Sequence, residues 1–321
     1  MRDATEAKVA IWQYLGLAFA LSWALWIPIV LLHKGNPVFL NLSGGPALAA
    51  MWLSASTHTR RTNPARAFAF VVLTALCWLI VILYVQAGAG PNGTLRFDPW
   101  LLVPSAISAW IVSGAFSRDS GVRALLRTLI APPDWHWFLI SLLSLPALLL
   151  LSVALGRLAG LPITNPLPRV PARALAALIA VTFLRELFFT AVFEEPGWRG
   201  FLLPRLQLRF SPFMATTLVW LPWAVWHLPL DFTRPGGWSL LAILQLRGPA
   251  LLLASILITW LYNRSRGSLL SPVLFHSSMN SFPFLLPASA ALLPLILVSA
   301  IVAIIADRMW RRRLPDGSGP G

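Results

Sequence analysis

Two adjacent glutamates, Glu194 and Glu195, lie in an otherwise apolar stretch of the chain, with Arg199 four residues beyond the second. His227 follows Trp223 by four residues, and Asn280 follows His276 by the same interval, again within apolar runs. Residues four apart share one face of a helix, so Glu195 can pair with Arg199, and His276 can stand beside Asn280. These residue types do chemistry. Carboxylates and imidazoles move protons, and a carboxamide offers two N–H donors to a developing oxyanion. They are also costly where they stand, because a charged side chain at the centre of a bilayer costs about 3 kcal/mol or more. Eight of the eleven acids fall at expected loops or termini, and only Glu186, Glu194 and Glu195 fall in one apolar segment. His33, His58 and His136 fall at expected span ends, whereas His227 and His276 fall inside runs.

Each group also has a plainer reading. The glutamate pair with Arg199 could be an interfacial salt bridge, and His227 a hydrogen-bonded packing residue. His276 and Asn280 could hold two helices together. Glu186 beside Arg185 reads as an ion pair, and the run Trp220, Trp223 and Trp226 as packing or interface anchoring. The functional reading rests on three constellations occurring in order within one half of the chain.

The elements that must position these groups follow from composition. The 321 residues are 57% hydrophobic and only 11% charged, with a mean hydropathy of +0.73. A soluble domain carries about 25% charged residues. The expected partner is therefore the lipid bilayer, and the expected class is all-α, a polytopic transmembrane bundle of eight to ten spans. The single Cys77 excludes an intramolecular disulfide framework and a Cys-based zinc cluster. The net charge of +14 is read through the positive-inside rule, so no nucleic-acid partner is expected.

Candidate spans, each of about 20 apolar residues, are 9–32, 39–57, 67–86, 100–116, 135–158, 172–193, 212–229, 238–261, 268–286 and 288–306. The first is too long for a signal-peptide core and is read as a retained helix. With ten spans and the N-terminus inside, seventeen of the 25 Lys and Arg fall on the inner side and six on the outer. That places both termini on the cytoplasmic side of a cell membrane. Arg118–Leu129 and Phe201–Phe210, which alternate Arg with apolar residues, are read as lying along the interface. Residues 1–165 form motif-free N-terminal helices, 166–310 hold the polar constellations, and 311–321 form a basic, Gly/Pro-rich disordered tail. One difficulty is geometric. A sixth helix ending at Phe193 would leave Glu194 and His227 roughly 22 Å apart in depth. The two can meet if that helix runs on past Arg199, kinked at Pro196 or Pro204, or if the seventh enters from a deep pocket; the extended sixth helix is preferred.

The segment Glu194-Glu195-Pro196-Gly197-Trp198-Arg199 resembles the EExxxR motif of the CPBP intramembrane proteases, also called the CAAX-protease and bacteriocin-processing, or Abi, family. Trp223-Ala224-Val225-Trp226-His227 is similar to its FxxxH motif, and His276-Ser277-Ser278-Met279-Asn280 to its HxxxN motif. The stretch Tyr262–Leu269 is also similar to the family. The likeness runs from about Ala172 to Phe282, and Trp223 departs from it by standing where Phe is usual, a change expected to affect packing more than chemistry. The resemblance implies an intramembrane endopeptidase acting on a membrane-associated peptide or protein. Glu194 is then the general base on a water positioned by His227 and His276, Asn280 the oxyanion donor, and Glu195, Arg199 and Trp223 the supporting residues. Glu194, His227 and His276 are also candidate ligands for zinc; a water held without metal is preferred, because no buried Asp stands ready to hold a ligand histidine's second nitrogen. The alternatives are a non-catalytic scaffold or immunity-type protein of the same family, and a proton-relaying transporter. No HExxH or GxSxG motif occurs.

Overall fold

The computed structural model describes residues 2–32, 44–55, 63–89, 99–167, 170–233 and 239–312. The tail from 313 onward lies outside these, as do His33, His58, and Lys34, Arg60, Arg61, Arg96, Arg169 and Arg234 of the charge count. The helices are α1 (Arg2–Leu32), α2 (Gly45–Ser54), α3 (Pro64–Ala89), α4 (Pro99–Phe116), α5 (Ser120–Ile130) and α6 (Trp135–Leu158). They continue with α7 (Arg173–Gln207), α8 (Pro212–Trp226), α9 (Leu228–Thr233), α10 (Leu240–Arg264), α11 (Leu270–Ser281) and α12 (Leu292–Ala306). Among the described residues the strands are two residues each: β1 (Ile163–Thr164) pairs antiparallel with β2 (Ala288–Ser289).

Six of these helices are long and apolar enough to cross a membrane: α1, α3, α4, α6, α7 and α10. Their outer faces carry apolar side chains such as Phe68, Val71, Leu79, Leu150 and Leu244, and only hydrocarbon can cover these without cost. The protein is an all-α, multi-pass membrane bundle. The remaining expected spans form shorter helices. α8 and α12 have 15 residues each and reach about 22 Å, short of the roughly 30 Å hydrocarbon core. α11 has 12 residues and is buried on nearly every side, so it is apolar because it is core and not because it faces lipid. Apolar run length alone does not separate these two cases.

The sixth expected span is longer than its apolar run. α7 continues unbroken for 35 residues, and Glu194 and Glu195 lie well inside it. Two π-helical stretches, Leu187–Ala191 and Pro196–Leu202, flank them. Pro196 has no N–H to give to the carbonyl four residues back, and widening the turn accommodates that loss. Phe201, Leu202 and Leu203 are buried in α7, which overturns the expectation that Phe201–Phe210 lies along the interface. Arg205 folds back, its guanidinium carbon 3.5 Å from the Phe201 ring centroid. The other Arg-bearing stretch does form an amphipathic helix. α5 is capped by Asp119, which accepts from Gly121 N and Val122 N at 3.0 Å each, and buries Val122, Leu126 and Leu129.

α1 and α2 pack against the region of α7 that carries the polar groups. Tyr14 of α1 stacks on Phe201 with centroids 5.1 Å apart and meets Trp198 edge-on at 5.7 Å. The approach depends on Gly197, where a Cβ would lie 2.5 Å from the Tyr14 hydroxyl and 2.6 Å from the Pro46 backbone. Small residues admit close backbones where no hydrophobic force drives helices together in lipid. Gly197→Ala is therefore expected to destabilise the bundle by about 1–3 kcal/mol. Gly16→Ala, in open space, should not destabilise it. Thermal unfolding in detergent compares them, and equal melting temperatures for the two variants would refute the close-approach argument.

Candidate active site

Successive helical residues point about 100° apart, so Glu194 and Glu195 serve different surroundings. Glu195 is fully buried. Its Oε1 accepts from Arg199 Nη1 at 3.0 Å, the i, i+4 pair expected from spacing, and lies 2.6 Å from His276 Nδ1 on α11. Arg199 is fully buried too, with Nη2 3.3 Å from Ser255 Oγ of α10. One carboxylate thus ties together α7 and α11, and its arginine reaches α10. Glu194 turns the other way, into a cavity, and its Oε2 accepts from Trp223 Nε1 at 2.7 Å.

Trp223 does more than pack. Its indole N–H holds Glu194, its ring lies 4.5 Å from the Arg199 guanidinium carbon, and its centroid is 5.5 and 5.7 Å from those of His227 and His276. A Phe at this position has no N–H to give, so the departure from the family pattern alters polar contacts to Glu194 and not packing alone.

Both histidines have their ring orientation set. His227 caps the C-terminus of α8, where backbone carbonyls lack helical partners, and its Nδ1 lies 2.8 Å from the Trp223 carbonyl. A carbonyl only accepts, so Nδ1 carries the proton and a neutral His227 has a lone pair on Nε2. His276 is fixed through Nδ1 by Glu195 in the same manner. The second nitrogens are held without an Asp: a glutamate and a backbone carbonyl take that place. α11 is itself anchored to α6 through Ser278 Oγ, which donates to the Leu142 carbonyl at 3.0 Å.

Glu194, Trp223, His227, His276 and Asn280 line one cavity of about 410 Å³ between α7, α8, α10 and α11, and Glu195 and Arg199 stand behind its wall. Asn280, partly buried, also lines a neighbouring cavity of about 420 Å³ with Tyr84, Thr182 and Phe284. The first cavity includes residues to which spacing assigned no chemistry. Arg185 and Glu186 form the expected ion pair and face the cavity; Thr190 Oγ1 donates to Glu186 Oε2 at 2.8 Å. Arg247 also lines it, with its Nε 2.8 Å from Asp231 Oδ1. Their sequence signal was the cost of an arginine within a span, which attends Arg185 and Arg247 alike. For zinc, three protein ligands must converge on one point about 2 Å from each. No three His, Cys, Asp or Glu side chains among the described residues do so. As arranged, these residues do not fit a zinc site, and no step below is routed through one.

Residues 176–282 match the family model described as type II CAAX prenyl endopeptidase Rce1-like. The CAAX prenyl protease 2 of Methanococcus maripaludis is 33% identical over 111 residues, covering 32% of this chain and 39% of that protein. Over residues 176–282 the chain is similar to that protease family. Its likeness to that relative spans about two fifths of the relative's length. The matched stretch contains the Glu194–Arg199, Trp223–His227 and His276–Asn280 segments and hence most of the cavity wall.

Arg199 tests the buried network. Arg199→Ala removes the countercharge from a fully buried carboxylate, and breaking such a pair typically costs about 3–5 kcal/mol. The expected result is a large loss of thermal stability in detergent, with little loss for Arg312→Ala, whose exposed side chain donates to the Leu208 carbonyl. Similar small losses for both would show that the Arg199 pair carries no stability.

Proposed function

We propose that the chain is a glutamate-dependent intramembrane endopeptidase that hydrolyses a peptide bond of a membrane-associated substrate. One observation carries this reading: a carboxyl, two oriented imidazoles and a carboxamide line the same cavity inside an apolar bundle. In the reading, a water donates one hydrogen to Glu194 and the other to Nε2 of His227, with His276 on its far side. Glu194 takes its proton as the oxygen attacks the scissile carbonyl carbon. Asn280 donates its amide N–H to the oxyanion. Glu194 then gives the proton to the departing amine as the C–N bond breaks, leaving a carboxyl and an amine product. Glu195 and Arg199 act through His276 and do not touch substrate. The relative's printed name points to a prenylated CAAX substrate; the proposal for this chain is the wider class of membrane-associated peptides, in a cell membrane with both termini cytoplasmic.

Glu194→Gln should abolish turnover in a folded protein, and Asn280→Ala should lower kcat about 10²–10³-fold, the usual loss for one oxyanion donor. Comparative analysis of membrane peptides in cells carrying wild type or Glu194→Gln reads the first directly. Identical peptide profiles would end the peptidase reading. Trp223→Phe should lower kcat/KM by about tenfold, because it leaves the Glu194 carboxyl without its indole donor; unchanged turnover would reduce Trp223 to packing.

The proposal also holds the water without metal. Elemental analysis of active, detergent-purified protein alongside chelator titration should find turnover independent of bound zinc. Stoichiometric zinc whose removal stops turnover, and whose return restores it, would overturn that part.

A further inference from the structure

A separate cavity of about 470 Å³ shares no residue with the candidate active site and lies where the ends of α2, α7 and α10 meet α5. Its chemistry is one-sided. Among the described residues that line it, Arg205 is the charged one, and no carboxylate is present. Arg205 is half-buried, and its Nη1 donates to the Phe201 carbonyl at 2.9 Å. Its Nε and Nη2 have no hydrogen-bond partner among the described residues. The hydroxyls of Tyr262 and Ser54 line the same space and make no hydrogen bond to a described residue either. A guanidinium and two hydroxyls are donors that call for an oxyanion. The nearby acids are engaged elsewhere: Asp119 caps α5, Asp307 pairs with Arg264, and Asp134 lies 3.5 Å from Arg266. Depth narrows the choice of anion. Arg205 stands two residues before the end of α7 and Tyr262 two before the end of α10, so both sit within about one turn of where those spans stop. The remaining wall is α5, an amphipathic helix of the kind that lies at headgroup level.

We infer that this cavity binds the headgroup phosphate of an anionic phospholipid. Arg205 pairs with the phosphate oxygens, and the Tyr262 and Ser54 hydroxyls donate to them. Basic pockets between membrane helices take anionic headgroups, and this one has the apolar flank that a lipid also needs: Leu53, Leu125 and Pro204 face the glycerol and the first acyl carbons. The absence of a carboxylate from the described lining decides between headgroup classes. A choline or ethanolamine cation would meet Arg205 with no acid to receive it, whereas a headgroup of net negative charge meets only donors. Arg123 and Arg127 on α5 and Arg209 beyond α7 add to the same field. The site also touches the buried network from behind. Gly200, next to Arg199, lines the cavity, and a Cβ there would lie 2.8 Å from Leu125 Cδ1 of α5. A lipid seated here ties the end of α7 to α5 and α10, and a ligand held by the folded state alone stabilises it. The inference does not depend on the endopeptidase reading.

The experiment titrates the full chain, purified in detergent, with phosphatidylglycerol or phosphatidylcholine carrying the same acyl chains. Retained lipid is read by native mass spectrometry and stability by the thermal unfolding midpoint. Phosphatidylglycerol should be retained about tenfold more tightly and should raise the midpoint, as expected for hydrogen bonds to a charged group. The preference should fall to about one in Arg205→Gln. It should persist in Arg312→Gln, an exposed arginine that tests for diffuse attraction. Tyr262→Phe combined with Ser54→Ala leaves the charge in place and should lower the preference about threefold or more, which keeps the test available if Arg205→Gln does not fold. Equal retention of the two lipids would overturn the inference. So would a preference unchanged in Arg205→Gln, or in the Tyr262 and Ser54 double variant, or one that falls as far in Arg312→Gln. Inorganic phosphate that raises the midpoint as much as phosphatidylglycerol at equal concentration would overturn the assignment to a lipid. Neither readout involves peptide cleavage, so the result stands apart from the endopeptidase reading.

Discussion

A fully buried guanidinium in the interior of an apolar bundle governs the arrangement around it. Moving an unpaired charge out of water costs several kcal/mol, and the cost falls only if a countercharge and hydrogen-bond acceptors are placed with accuracy. Arg199 has Glu195 at 3.0 Å, Ser255 at 3.3 Å and the face of Trp223 at 4.5 Å. Each partner sits on a different part of the bundle: Glu195 on the same helix, Trp223 on α8, Ser255 on α10. Satisfying this one charge therefore constrains three helices at once. His276 joins the arrangement through the carboxylate oxygen that Arg199 also holds, so a fourth element, α11, is positioned by the same demand.

The backbone meets these demands by departing from regular helix where it must. Glu194 and Glu195 occupy a four-residue α-helical island between two π-helical stretches. Gly197, one residue past Pro196, lets α1 and α2 approach the same turn from outside. The N-terminal helices, which carry no motif, thereby supply aromatic packing behind the site: Tyr14 against Trp198 and Phe201, and Trp26 against Trp226 at 4.6 Å. Trp226 in turn lies 4.9 Å from the His227 ring. Packing of α1 is thus coupled to the imidazole at the cavity wall through one chain of aromatic contacts.

How much was legible in the sequence follows from how local each interaction is. The Glu195–Arg199 pair and the membrane character were readable because helical spacing and composition report them directly. The continuation of α7 past Arg199 was readable as the preferred of two ways for Glu194 and His227 to share a depth. Contacts that close across helices left no such trace. His276 and Glu195 are 81 residues apart, and neither residue type announces the other as partner. Arg247 and Asp231 looked like a stray intramembrane arginine and a loop acid until folding joined them. The span count was inflated for a related reason, because a buried helix such as α11 and a lipid-facing one are equally apolar in one dimension. Trp223 shows the limit of residue-class reasoning: exchanging Phe for Trp conserves aromatic bulk yet adds a donor, and that donor is used.

The adjacent glutamates illustrate how one motif can supply two unlike carboxylates. Glu195 is held by the Arg199 guanidinium at 3.0 Å and lies 2.6 Å from His276 Nδ1, so both its partners are inside the bundle. Glu194 has a different neighbour, a neutral indole N–H at 2.7 Å, which supports the carboxylate without pinning it by a full charge. Under the proposed reading, proton traffic requires that difference. A base must accept a proton and release it within one turnover, and a group locked in an ion pair would have to break the pair each time. The neighbour that holds the histidine has a different task, keeping the His276 ring in place. Placing the two on consecutive residues, with one facing the cavity and the other facing Arg199, lets a single turn of helix meet both requirements, and Pro196 with its π-helical stretch carries the turn on to the arginine that separates their roles.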